Sequence, residues 1–392
     1  MPQKTGNPKV LAAGAAVQLL TGIPAAWGIF QRPVCETYGF SGGQASLVFA
    51  VLVAGYGIGC AVGGFVQDRR SPRFAALWGT ALLAGGSFAA AFLPQGRIVL
   101  FLLGYSVPAG VGSAFLAPAV LACAQKWYRN RKGLATGVSG ASMGLSGAFL
   151  TLFVRGIAGR WGMRVCFGVL GAVVLVVCGL SAAVLVNPPQ DGPAPQQGMG
   201  PRQMIRTSQY RLCVAGIALA APPVLLFSPE ILSLAADRGL PEQWAPVCVA
   251  LGSAASALGR LLCPAASDRL GRKPVLYGVY AGLAAGSAAL AFAQGWWFPA
   301  AYCTLTFFYS GGAAVQPALN TDLFGLAHAG VNYGLTALGM SAGSLLSYAG
   351  SQLLPLSARH ILAGISAGAG GACFLFVKPL RQGCKDQGKR VQ

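Results

Sequence analysis

One charged residue stands where charge is costly: Arg260, inside the apolar run 244–265. Ionisable side chains kept within a hydrocarbon-solvated segment mark functional positions. A guanidinium holds a carboxylate through two parallel hydrogen bonds, and no acid in the neighbouring apolar runs is an evident partner. The chemistry this offers is reversible anion binding. A second reading stands beside it, in which the long side chain of Arg260 snorkels to the nearer end of its segment. Two aspartates carry another kind of chemistry. Gly64-Phe-Val-Gln-Asp68-Arg69-Arg70-Ser71-Pro72-Arg73 recurs, 200 positions on, as Ser267-Asp268-Arg269-Leu270-Gly271-Arg272-Lys273. An Asp at a helix end can accept from the exposed N–H groups of a neighbouring helix N-terminus, while Arg69 or Arg269 pairs with a carboxylate or a lipid phosphate. Such contacts, made in one arrangement of the molecule only, form a latch; otherwise these loops are basic turns that set topology.

Bond-making chemistry has no comparable support. The chain holds two histidines and eleven cysteines, an odd number without a C-x-x-C pair, so neither a metal site nor a disulfide framework is expected. No G-x-x-x-x-G-K-[ST] loop is present, and ATP-driven work has no motif behind it. We expect no cofactor, no metal and no enzyme.

The elements that position these residues follow from composition. Of 392 residues, 55% are hydrophobic and 9% charged, against roughly 25% charged in soluble domains. Uncharged stretches such as 74–96, 98–125, 133–154 and 274–321 are each long enough for a helix across the bilayer, about 20 residues. Apolar runs between charges and Pro/Gly turns give twelve spans: 10–30, 44–65, 74–93, 98–124, 133–154, 165–186, 211–234, 244–265, 274–294, 297–318, 332–354 and 360–377. Lipid offers the backbone no hydrogen bonds, so spans without strand alternation must be helical. The divisions at Gly295-Trp296-Trp297 and at Phe227-Ser228-Pro229-Glu230 carry the weakest signals.

The formal net charge of +19 would suggest nucleic-acid binding in a soluble chain, but its distribution does not. With the N-terminus placed in the cytoplasm, 20 of the 28 basic residues fall on cytoplasmic segments and seven on outer ones. The positive-inside rule then puts both termini in the cytoplasm of a multi-pass cell-membrane protein, and the basic face meets anionic lipid. Lys4 and Lys9 precede an apolar run of some 20 residues, longer than the usual 7–15 of a cleavable leader and without an A-x-A-like site, so we read it as the first span.

The Pro-rich segment 187–210 separates six spans from six, giving an N-terminal half 1–186, a C-terminal half 211–378 and a basic tail 379–392. Two parallel repeats with a site between them near the midplane form the architecture of a rocking carrier. At Asp268 to Lys273 the chain resembles the major facilitator superfamily, whose D-R-x-G-R-K loop the second copy matches; the first copy departs at Ser71 and Pro72. Further segments resemble the oxalate/formate antiporter-like and monocarboxylate transporter-like subgroup: Ala26-Trp27-Gly28-Ile29-Phe30, Tyr38-Gly39-Phe40-Ser41, Lys126 to Gly137, Asp322-Leu323-Phe324-Gly325 and Val331-Asn332-Tyr333-Gly334.

The resemblance implies an all-α integral membrane fold of twelve transmembrane helices in two pseudo-symmetric six-helix halves. It also implies a substrate-binding role for Arg260, eight residues before Asp268. The second basic residue of the oxalate pattern falls, without gaps, on Met340, and the Asp of proton-coupled monocarboxylate carriers falls on Ser256. One buried cation points to one anionic group, hence a monocarboxylate rather than oxalate, and against proton coupling through residues 256 and 260. Trp27, Tyr105, Tyr309 and Gln316 are further substrate candidates, with Gln18 beside them; each is equally readable as an interface anchor or an interhelical tie. Gly64, Asp68, Arg69, Arg73, Asp268, Arg269, Gly271 and Arg272 are the gating candidates. Glu230 is either a proton-linked carboxylate or, on the preferred reading, an interfacial residue in contact with outside water. The expectation is a monomeric secondary carrier of a small carboxylate, by exchange or facilitated transport; the alternative is a carrier of a neutral or drug-like substrate with Arg260 structural.

Overall fold

The computed structural model describes residues 6–128, 132–186, 198–325 and 327–377, and the described residues contain helices and no strand beyond an isolated bridge between Gly198 and Gly325. The helices are α1 (Pro8–Thr21), α2 (Ile23–Tyr38), α3 (Gly42–Arg69), α4 (Pro72–Phe92), α5 (Ile98–Trp127) and α6 (Lys132–Val184), then α7 (Ser208–Ala220), α8 (Ile231–Asp237), α9 (Ala245–Leu270), α10 (Arg272–Phe292), α11 (Trp297–Phe324), α12 (Ala329–Thr336), α13 (Leu338–Leu353) and α14 (Leu356–Phe376).

Local sequence explains their ends. Ser41 and Gln44 close a capping box at the start of α3, and the Ser71 side chain accepts from Phe74 N–H at the start of α4. Gly96 and Gly295 each take a positive φ in the turn that leads to the next helix. Each donates its N–H to a carbonyl in the equivalent place of its half, Tyr38 at 2.8 Å and Arg238 at 2.7 Å. Tyr38 and Arg238 are 200 positions apart, as Asp68 and Asp268 are, and α4 and α10 have the same 21-residue length at the same offset. The repeat first seen in two loops therefore extends through the geometry of the halves.

Each of the twelve expected spans has its helical segment, with informative departures. Span 1 is divided at Gly22 into α1 and α2, since Pro24 in the first turn of α2 has no N–H to continue α1; Gly22 itself packs so tightly that a Cβ would lie 2.4 Å from Ser146 Cβ. Spans 5 and 6 form one run, α6, that turns at Gly162 (φ 83°, ψ 167°). Span 7 is broken: α7 ends at Ala220, a short turn covers Pro222–Leu225, and α8 begins at Ile231. Span 11 is stepped at Ala337 between α12 and α13. Among the described residues, seven helices taken singly are long and apolar enough to cross a membrane: the broken spans 1, 7 and 11 drop out, spans 5 and 6 count as one, and α11 is long enough but less apolar. Of the proposed tail, residues 379–392 lie outside the described residues, as do 187–197 of the linker.

The halves meet along two seams, α3 against α12 and α13, and α6 against α9. Small residues make both possible. A Cβ on Gly334 would sit 2.2 Å from Cys60 O, and one on Gly144 would sit 2.3 Å from Ala257 Cα. Such spacing lets backbones touch where lipid supplies no hydrophobic drive between helices.

Candidate functional site: a central cavity and its closures

Between the halves lies a cavity of about 110 Å³. The N-terminal half contributes Phe49, Val53, Tyr56 and Met143, and the C-terminal half Ser256, Arg260, Tyr309 and Met340. Arg260 is the only formally charged residue of its wall. The Arg260 Nε is buried without a hydrogen-bond partner among the described residues. The ionisable groups that act on the guanidinium are the phenols of Tyr56, Tyr309 and Tyr333, none of which is anionic at neutral pH. A buried cation without countercharge is strongly disfavoured, and an anion in the cavity would supply what is missing.

The other substrate candidates divide. Ser256, Tyr309 and Met340 line the cavity with Arg260. Gln316 lines a smaller adjoining one of about 30 Å³, which shares Tyr309 and Met340 with the first. The structure places Trp27 and Tyr105 elsewhere. Both are fully buried in an aromatic core with Phe30, Phe101 and Phe167, and Trp27 stacks behind the wall residue Phe49 at 6.4 Å between ring centroids. Gln18 ties α1 to α5 by donating to Ala117 O at 3.0 Å. Glu230 pairs with Arg359 at 3.2 Å, inside the C-terminal half. Sequence reading had not singled out Phe49, Tyr56 or Tyr333 for the site. Tyr333 lies in a segment that carried only the family resemblance, and nothing in the types or spacing of Phe49 and Tyr56 sets them apart from core aromatics.

The repeated loops lie at one end of the bundle, here called the basic end, and the two copies behave differently. Asp68 Oδ2 accepts from Val331 N–H at 3.0 Å, in the first turn of α12, so this copy bridges the halves. Gly64 lies against the same turn: a Cβ there would be 2.3 Å from Gly330 O. Arg69 stacks over Phe65 at 4.1 Å, and Arg73 is exposed. In the second copy, Asp268 pairs with Arg272, which also binds Asp322 at 3.0 Å, all within one half. Arg269 is exposed, and Gly271 takes φ 93° between α9 and α10. The segment that would answer this copy across the seam precedes α6, where 129–131 lie outside the described residues.

Contacts also close the opposite end. A Cβ on Gly28 would lie 2.8 Å from Ile231 Cγ2 and 3.1 Å from Ser228 O, and one on Gly43 would lie 2.5 Å from Gln352 Oε1. The halves thus touch on both sides of the cavity along the bundle.

A profile of the Major Facilitator Superfamily matches residues 12–348. The chain is 27% identical to "MFS-type transporter 1" of Ophiocordyceps sp. (strain BCC 1869), over 82% of this chain and 72% of that one. It is 24% identical to the "Oxalate:formate antiporter" of Oxalobacter formigenes, over 81% and 77%. In fold it is similar to a bacterial homologue of the iron transporter ferroportin in an outward-facing state, with a TM-score of 0.69 at 14% identity, covering 93% of this chain and 98% of that one. Two repeated six-helix halves around a central cavity and a family match over most of the length lead to one conclusion: the chain belongs to the Major Facilitator Superfamily, a family of membrane transporters and not of enzymes.

Proposed function

We propose that the protein is a secondary carrier of a small organic anion, a monocarboxylate, which Arg260 holds while the two halves alternate access to the cavity. The observation that carries this reading is a buried guanidinium on the cavity wall whose electrostatic neighbours include no acid. Met340, a thioether, lines both cavities where an oxalate carrier's second cation is expected, so one negative charge is matched and a second is not. The basic end faces the cytoplasm in this reading, as the positive-inside rule directs. The linker 187–210 joins the halves 1–186 and 211–378 on that side, and a single chain suffices for transport.

Counterflow of labelled formate, lactate, pyruvate and oxalate into proteoliposomes tests it, with Arg260→Gln as the control. Monocarboxylate exchange should fall at least tenfold in the variant, and oxalate should be carried poorly by either protein. Carboxylate flux that survives Arg260→Gln intact would end the proposal.

A further inference from the structure

The cavity is graded from one end to the other. Along α9 the wall runs from Val249 through Ser253 and Ser256 to Arg260, eleven residues or about 16 Å at 1.5 Å per residue. Along α3 it runs from Phe49 through Val53 to Tyr56, and along α11 from Tyr302 through Thr306 to Tyr309. All three helices head toward the basic end, so Arg260, Tyr56 and Tyr309 gather at one pole and Val249, Phe49 and Tyr302 at the other. Val224 and Leu225, from the break in span 7, also line the cavity.

The hydroxyls between the poles are largely spent on the protein. Ser253 donates to Val249 O at 2.7 Å and Thr306 to Cys303 O at 3.1 Å. Ser256 bonds Ser310 at 2.6 Å, and Ser228 bonds Tyr302 at 3.0 Å, leaving each pair at most one further proton to give. A second carboxylate entering here would lose water and find few free donors to replace it. An apolar body would lose little and gain contact with Phe49, Val53, Val224 and Leu225.

From this gradient we infer that the transported anion is an amphiphile, a monocarboxylate with an apolar aliphatic or aromatic body, its carboxylate on Arg260 and its body toward Val249 and Phe49. The inference rests on the anion-site reading above and narrows it to a substrate class.

Calorimetric titration of the purified full-length protein with formate, butyrate, hexanoate, octanoate, 3-phenylpropionate and 3-phenylpropionamide tests it. Affinity should rise about fourfold per methylene buried and reach at least a hundredfold over formate at hexanoate to octanoate or 3-phenylpropionate. The neutral amide should bind at least tenfold more weakly than its acid, and Arg260→Gln should erase that difference, which also removes partition into detergent as an explanation. Val249→Phe, which shortens the apolar pole, should cost octanoate at least tenfold and formate little. A flat or falling series that still depends on Arg260 would overturn the substrate class and leave the anion site standing. Amide and acid binding alike in the unaltered protein, or no acid binding at all, would overturn the anion site and this inference with it.

Discussion

Asp68 and Val331 are 263 positions apart and share a hydrogen bond: the carboxylate accepts from the backbone N–H at 3.0 Å, in the first turn of α12. The helix N-terminus offers unpaired N–H groups and partial positive charge, and the carboxylate of the other half supplies what they need. Because the two ends of this bond belong to different halves, it exists only while the basic end is closed.

Asp68→Asn keeps an acceptor but removes the charge. A carboxylate at a helix N-terminus is worth about 0.3–1 kcal/mol, and up to about 2 when partly buried, so closure of the basic end should weaken by roughly twofold to thirtyfold. Labelling rates of single cysteines introduced at the basic end should rise and those at the opposite end should fall. Unchanged labelling on both faces would mean that the loop is only a basic turn.

Gly64→Ala tests the same closure by volume. The added Cβ would fall 2.3 Å from Gly330 O, where only backbone could yield. Transport should drop at least tenfold with the protein still folded, since the clash arises only when the halves meet. Gly85→Ala is the control: nothing lies within 4 Å of a Cβ there, and Ala is a better helix former than Gly by about 1 kcal/mol. Its transport should be unchanged and its melting temperature equal or higher. Equal activity in both variants would show that α3 and α12 need not touch in the cycle.

The Glu230–Arg359 pair should contribute to stability rather than to substrate binding. Arg359 also donates to Leu354 O and Ser351 O, so it ties the end of α13 to the start of α14. Removing Arg359 strands two carbonyls and a carboxylate, whereas removing the Glu230 charge strands one guanidinium that keeps its other partners. Arg359→Gln should therefore cost more than Glu230→Gln, about 2–3 against about 1 kcal/mol, with fully buried values discounted for the partial exposure of the pair. Melting in detergent checks the order; a larger loss from Glu230→Gln would show that the acid does something beyond this pairing.

What could be read from the sequence follows a physical divide. Twelve spans, the 200-residue repeat and the chemistry of Asp68 were legible because lipid imposes long apolar runs and because a carboxylate beside basic residues at a helix end has few uses. The roles of Trp27 and Tyr105 were not, since an aromatic side chain in a membrane protein serves core, interface or cavity with the same atoms, and only packing separates Tyr105 behind the wall from Tyr309 on it. The step in span 11 at Ala337 was likewise hidden, whereas Pro24 and Pro222-Pro223 mark the breaks of spans 1 and 7 in the sequence. That residue 22 must be a glycine is a tertiary fact: Ser146, more than a hundred residues away, leaves no room for a side chain.

Ser256 offers the sharpest test of the bare guanidinium. It lies one turn before Arg260 on the same helix, both residues face the cavity, and its hydroxyl bonds Ser310 at 2.6 Å. Residues four apart on a helix are neighbours, so an acid introduced by Ser256→Asp would reach the guanidinium and provide internally the countercharge that the substrate otherwise brings. Carboxylate affinity at pH 7 should fall at least tenfold, while Ser256→Asn, of similar size and uncharged, should lose much less. Equal losses from Asp and Asn would show that position 256 acts through space alone, and an affinity undiminished by Ser256→Asp at every pH would mean that no ion pair forms between residues 256 and 260.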